Sequence, residues 1–152
     1  MSIGSICIRE VDLARPHENA WQAAVRMRQR AVGTLIVVNS DRRPIGIVTD
    51  RDLMERVLAG AKDPNATRVR EVMTPEPTTI CEEDSIEMAL ALMREGGLRR
   101  LPVVDADGIL VGLVSLDDVL MLMGEEMAQV SEMLRRETPR AFAEEPVVSR
   151  WD

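Results

Sequence analysis

Gly46-Ile47-Val48-Thr49-Asp50-Arg51-Asp52 recurs as Gly112-Leu113-Val114-Ser115-Leu116-Asp117-Asp118. The offset is constant, since 112 − 46, 115 − 49 and 118 − 52 each give 66. In both copies a glycine precedes an aliphatic pair, a hydroxyl residue and, three places on, an aspartate. The aliphatic pair reads as the end of a strand, and the hydroxyl residue stands where a helix begins. A strand running into a helix leaves unpaired N–H groups and the positive end of the helix dipole, which suit an anion. Glycine lets a ligand approach the backbone closely. The carboxylate can accept hydrogen bonds from two neighbouring hydroxyls, as on a ribose. The same residues also read as a helix capping box, worth about 1 kcal/mol; the two readings are compatible.

The offset extends beyond the motif. Ile3, Ile6 and Cys7 align with Val69, Val72 and Met73; Ala23 with Ala89; Met27 with Met93; Leu35, Val37 and Val38 with Leu101, Val103 and Val104; and Asp41 with Asp107. No gap is needed through Asp52/Asp118. A long period present only twice indicates a duplicated unit and a pseudo-two-fold pair rather than a solenoid.

Within each unit the pattern predicts a short extended segment, a helix, two strands and a second helix. The first repeat has extended segments at Ile6–Ile8 and Val11–Ala14, then a helix over 17–30 opened by Pro16, with Ala20, Ala23, Ala24 and Met27 at helical spacing. Strands over 35–38 and 45–48 flank the turn 39–44, and a helix over 50–59 stops at Gly60. Residues 61–66 link the repeats. The second repeat opens at Val69–Pro75 and has a strand at Thr78–Ile80. A helix over 85–94, strands over 101–104 and 110–114 around the turn 105–108, and a long last helix from Leu116 follow. The expected division is 1–66 for the first repeat with its linker, 67–137 for the second, and a tail over 138–152 in which Phe142 and Trp151 could dock.

On the last helix, Leu116, Leu120, Met123, Met127, Val130 and Leu134 step by alternating fours and threes. That is an a/d seam over about two and a half heptads. It reads either as an intramolecular core stripe or as a surface for another subunit, with Met121, Met123, Met127 and Met133 giving adaptability. Val119 and Leu122 form a second apolar flank towards the sheet, and Gly124 is a place for a bend or a close approach.

The motif Gly-x-x-Ser/Thr-x-x-Asp resembles the nucleotide signature of the cystathionine β-synthase (CBS) domain, and two in tandem resemble a Bateman module. Met73-Thr74-Pro75 followed by Thr78-Thr79-Ile80 looks like that family's opening segment; the first repeat departs from it with Cys7-Ile8-Arg9. The resemblance covers about residues 1–136 and implies an α/β (α+β) fold of two tandem β-α-β-β-α repeats related by pseudo-two-fold symmetry, packed through their sheets around two clefts. It implies phosphate contacts from Thr49 and Ser115 and ribose contacts from Asp52 and Asp118, beside Gly46 and Gly112. Arg51, inside the first motif, and Arg100, just before a strand of the second repeat, are the candidate phosphate partners, since a guanidinium makes charge-assisted, often bidentate bonds. Asp117 replaces Arg51 in the second motif, so the first cleft is expected to be the more positive and the tighter for phosphate.

The implied ligand is an adenine nucleotide, AMP or ATP, with no metal required, in a regulatory module that signals by a packing change. Two competing readings are a dimerisation or interaction module with vestigial clefts, and a binder of another adenosine ligand such as S-adenosylmethionine or NAD(H). No catalytic constellation is present: His17 is the single histidine, and there is no phosphate-binding loop of the Walker type, so no enzyme activity is expected. The net charge of −7 disfavours nucleic acid and anionic membranes. Aromatics are scarce, with no tyrosine, so an adenine ring would lie against aliphatic walls. Cys7 and Cys81 are not equivalent under the offset and form no disulfide or metal motif. Lacking a secretory leader or an 18-residue apolar run, the chain is expected to be cytoplasmic, to form a homodimer, and to act on any protein target in trans.

Overall fold

The computed structural model describes residues 1–137. Two small sheets, each with helices on its outer face, pack against one another. In the first, β1 (Leu13–Ala14) runs parallel to β2 (Thr34–Val38), β2 antiparallel to β3 (Pro44–Thr49), and β3 antiparallel to β4 (Thr74–Pro75). In the second, β5 (Ile80–Cys81) runs parallel to β6 (Arg100–Val104), which pairs antiparallel with β7 (Leu110–Ser115). The duplication is visible down to irregularities: the register slips at Val37/Val38 and again at Val103/Val104, 66 residues on.

Helix α1 (Ala20–Arg30) begins three residues later than the proline at 16 suggested. Asn19 and Gln22 cap it reciprocally: the Gln22 N–H donates to Asn19 Oδ1 at 2.8 Å and the Asn19 N–H to Gln22 Oε1 at 3.0 Å. The linker helps hold that start, since the Trp21 N–H donates to the Pro64 carbonyl. α4 (Ile86–Gly96) is capped by Ser85 and ends at Gly97 with φ 61°; the equivalent end of α1 is Ala31, at φ 54°. Left-handed backbone suits glycine, so the first repeat carries a small strain that the second avoids.

The helix after the first motif is not uniform. α2 (Asp50–Leu53) is a single α-turn continuing as a π-helical turn over Met54–Leu58, where the Ala59 N–H reaches back to the Met54 carbonyl at 2.8 Å. The opening of the second repeat is a helical turn, α3 (Val69–Val72), and the strand expected at Thr78–Ile80 forms at Ile80–Cys81 instead.

The opening segments cross between repeats. β4, from the second repeat, completes the first sheet through Thr74 opposite Ile47, while Ile8, from the first, pairs with Leu113 of the second through two 2.9 Å bonds. The cores follow this exchange. Val69 and Val72 are buried with Leu35, Val37 and Val48 of the first repeat, and Ile3 is buried with Leu101, Val103 and Val114 of the second. A third cluster of Ile36, Val38 and Leu110, with Ile47 and Leu113, joins the sheets face to face.

This crossing explains the two motif glycines. A Cβ on Gly46 would run into the Met73 side chain; one on Gly112 would lie 2.7 Å from Cys7 Sγ and 3.0 Å from the Ile8 carbonyl oxygen. The space that the sequence reading reserved for a ligand at these glycines holds the crossing segments. Met73 is flexible and can yield; Ile8 is pinned by its backbone pairing. Gly112→Ala is therefore expected to cost about 1–3 kcal/mol and Gly46→Ala less. Thermal unfolding of the two variants checks the order; a larger cost at Gly46 would contradict this account.

α5 (Leu116–Glu137) is one unbroken helix, and Gly124 faces open space. Of the flank expected to face the sheet, Val119 is fully buried and Leu122 is half-buried, while Leu116, from the seam, packs on the second core. Leu120, Met123, Met127, Val130 and Leu134 are exposed, Met127 at 69% and Val130 at 52%. The seam past Leu116 is therefore not an intramolecular core stripe, because the helix runs on beyond the sheet it packs against. The tail over 138–152, with Phe142 and Trp151, lies outside the described residues.

Candidate functional site

Where β3 ends, Thr49 is the N-cap of α2 and Asp52 its third residue. The Thr49 N–H donates to Asp52 Oδ2 at 2.9 Å, and the Asp52 N–H donates to Thr49 Oγ1 at 3.1 Å. The capping box read as the bland alternative is thus formed, with both groups half-buried at the wall of a cavity of about 320 Å³. That volume suits a small organic ligand. The cavity is lined by Ile47, Thr49 and Asp52 from the first repeat, by Thr74–Thr78 from the crossing segment, and by Leu98 and Arg100 from the second repeat. Arg100 pairs along β6 with Ser115 of the second motif, yet its side chain lines the cleft of the first. Glu76, between two prolines at the lip, adopts φ 50°, the kind of backbone strain that clusters at ligand clamps.

Arg51 does not join this cleft. Its guanidinium pairs with Glu55 at 2.7 Å and its side chain is 78% exposed. Asp50–Leu53 forms a helical turn, so residue 51 projects away from the face shared by 49 and 52. The cation beside Asp52 is Arg56, one turn on, whose Nη2 lies 3.1 Å from Asp52 Oδ1. The i, i+4 spacing was readable in the sequence and was passed over for the neighbour in the chain. Arg100 lines this cleft, and Arg56 stands behind its wall at Asp52.

The second cleft, of about 380 Å³, is built from equivalent segments: Ile8 and Glu10–Asp12 of the first repeat's opening, Ala31–Thr34 before β2, and Leu113 of β7, with Arg100 at its wall. Thr34 stands where Arg100 stands in the other copy. Ser115 and Asp118 do not line this cavity. They close on each other: the Asp118 Oδ2 accepts from the Ser115 N–H at 2.8 Å and from the Ser115 hydroxyl at 2.6 Å, and the Asp118 N–H donates back to Ser115 Oγ at 3.1 Å. Asp117 pairs with Arg99 outside. The structure therefore brings together Thr49, Asp52 and Arg100, and leaves Ser115 and Asp118 folded onto their own helix start.

Cys7 and Cys81 are free and half-buried, and burial pushes the Cys7 thiol up, which keeps it protonated and unreactive near neutral pH. Among the described residues no group of three or more His, Cys, Asp or Glu is placed to hold a metal ion, and no helix is long and apolar enough to cross a membrane. On the outer face of the first repeat an apolar groove of about 310 Å³ runs between α1 and the turn after α2, with Trp21, Met54 and Leu58 exposed along it.

The family model of the CBS domain matches this chain twice, at residues 3–59 and 69–125. An uncharacterised protein of Methanopyrus kandleri is 34% identical over 136 residues, 90% of this chain and 69% of the relative. Among solved structures, Hypoxic Response Protein I with two coordinated zinc ions superposes with a TM-score of 0.72 at 30% identity, over 80% of this chain and 98% of that one. CBSX2 in complex with AMP gives 0.71 at 26% identity, over 83% and 98%.

Proposed function

The chain belongs to the CBS domain family as a tandem pair, a Bateman module, and on that premise we propose that it is a regulatory module that binds an adenine nucleotide in the cleft of Thr49, Asp52 and Arg100. The observation that carries this is the composition of that cleft: a hydroxyl, a carboxylate and a guanidinium lining one cavity of about 320 Å³. Asp52 accepts the ribose hydroxyls, and Thr49 and Arg100 take the phosphate. Ile47, Leu98 and the prolines at 75 and 77 form the apolar wall for the base. The AMP held by the similar CBSX2 supports a ligand of this class. Because each cleft is walled by both repeats, a bound nucleotide favours one packing of the pair over another, and that population shift is the signal. Catalysis has no part in this reading, and the free thiols suit a reducing compartment such as the cytoplasm.

A second copy of the chain covers the exposed face of α5. Five large apolar side chains on a single helix face, all outside the core, support that pairing. Any target is regulated in trans.

The test is thermal unfolding with AMP, ADP, ATP, NADH, S-adenosylmethionine and adenosine, on the wild type and on the Asp52→Ala/Asp118→Ala double variant. A ligand at a hundred times its dissociation constant adds about 2.7 kcal/mol. A shift of several degrees with an adenosine phosphate, absent in the double variant, is expected. A shift with S-adenosylmethionine or NADH alone would transfer the cleft to that ligand. No shift with any of them at millimolar concentration would leave an interaction module with vestigial clefts.

A further inference from the structure

Asp52 and Asp118 occupy the same place in the repeat but are held differently. Asp52 Oδ1 is taken by Arg56, whose guanidinium also donates to the Val72 carbonyl at 2.7 Å and to Thr74 Oγ1 at 3.2 Å. Thr74 lines the first cleft, so Arg56 stands behind a wall made of Asp52 and Thr74 and ties the two together. With Oδ1 held by Arg56 and Oδ2 by the Thr49 N–H, the carboxylate does not swing onto the Thr49 hydroxyl. That hydroxyl accepts from the Asp52 N–H, and its own proton has no acceptor among the described residues.

In the second repeat the residue 66 places after Arg56 is Leu122. Among the described residues no cation holds Asp118, and its Oδ2 takes the Ser115 proton in a short, charge-assisted bond of 2.6 Å. The donor that a phosphate needs is consumed inside the motif. The backbone differs as well: Arg56 sits within the π-helical turn over Met54–Leu58, whereas α5 is α-helical through Leu122. Such turns recur at functional sites.

We propose that Arg56 is the specificity-determining residue of this pair of clefts: by holding Asp52 it keeps the Thr49 hydroxyl available to a phosphate and makes the first cleft the one that selects a phosphorylated adenosine. It acts through Asp52 and Thr49, as a positioning residue, and rests on the adenosine-ligand reading above. Leu122 gives Asp118 no such hold, and Ser115 and Asp118 stay off the wall of the second cleft, so that cleft treats nucleotide and nucleoside more alike.

Calorimetric titration of AMP and of adenosine into the wild type, Arg56→Leu and Arg56→Lys tests this. Arg56→Leu is expected to weaken AMP at the tighter site about tenfold, the worth of one hydrogen bond, with adenosine little changed. Arg56→Lys restores part of the preference. The AMP-to-adenosine ratio is the decisive readout, because a merely structural role would lower both alike. An unchanged ratio in Arg56→Leu, with the wild type binding AMP, overturns this proposal alone. A wild type that binds neither ligand overturns the underlying reading.

Discussion

Asp52→Ala is expected to weaken AMP at the tighter site by about a hundredfold, while Asp118→Ala leaves that site within a factor of about two. A hydrogen bond to a charged acceptor contributes about 1.5–3 kcal/mol, and two ribose hydroxyls meet the one carboxylate; each 1.4 kcal/mol is a factor of ten. The full sum of two such bonds is not expected, because water replaces part of what is lost. The substitution also removes the acceptor for the Thr49 N–H and leaves Arg56 without its anion. Losing this half of the capping box lowers stability by about 1 kcal/mol, so a melting curve must accompany the titration. Asp52→Asn separates the two effects, keeping shape and one acceptor oxygen while losing the charge. Equal losses from the two alanine variants would mean that the clefts are equivalent, against the difference between the Arg56 and Leu122 sides.

Met127→Glu/Val130→Glu is expected to abolish the proposed pairing through α5 and leave a monomer with an unchanged fold. Both side chains are exposed on α5, and neither belongs to a core cluster, so the folded chain tolerates the charges. In the assembly they would lie in the middle of the seam, where burying an unpaired carboxylate costs several kcal/mol, while covering each large apolar side chain contributes about 1.5–3 kcal/mol. Sedimentation equilibrium and far-UV circular dichroism decide it together: a dimer for the wild type, a monomer with an unchanged spectrum for the variant. A monomeric wild type at the highest soluble concentration would remove the second copy as occupant of this face.

The two expectations draw on different kinds of legibility. The seam on α5 was readable as a period, but its exposure was not. Leu116 and Val119 are covered and Met127 and Val130 are not because the sheet under the helix ends, and no local pattern records where a helix outruns its sheet. Thr49 and Asp52 were readable because the motif is local, closed by bonds between residues three apart. Arg51 was chosen over Arg56 on chain proximity, whereas helical geometry puts residues four apart on one face. Thr74 and Thr78 reach the first cleft only through the exchange of opening segments, and Leu98 only because the second repeat packs against the first.

What the sequence determined by itself is the duplication, the order of strands and helices within each copy, and the cap-and-carboxylate motif at each β–α junction. All of these rest on contacts between near neighbours or on hydrophobic period, and the same offset of 66 repeats them. Only the tertiary structure decided that each opening segment serves the other repeat, that the motif glycines make room for Met73 and Cys7, and that the two aspartates differ. The physical reason is common to the three. Space and charge at these positions are set by groups from other elements — Ile8 on Leu113, Met73 on Gly46, Arg56 between Asp52 and Thr74 — and a sequence repeat specifies like residues without specifying what lies against them.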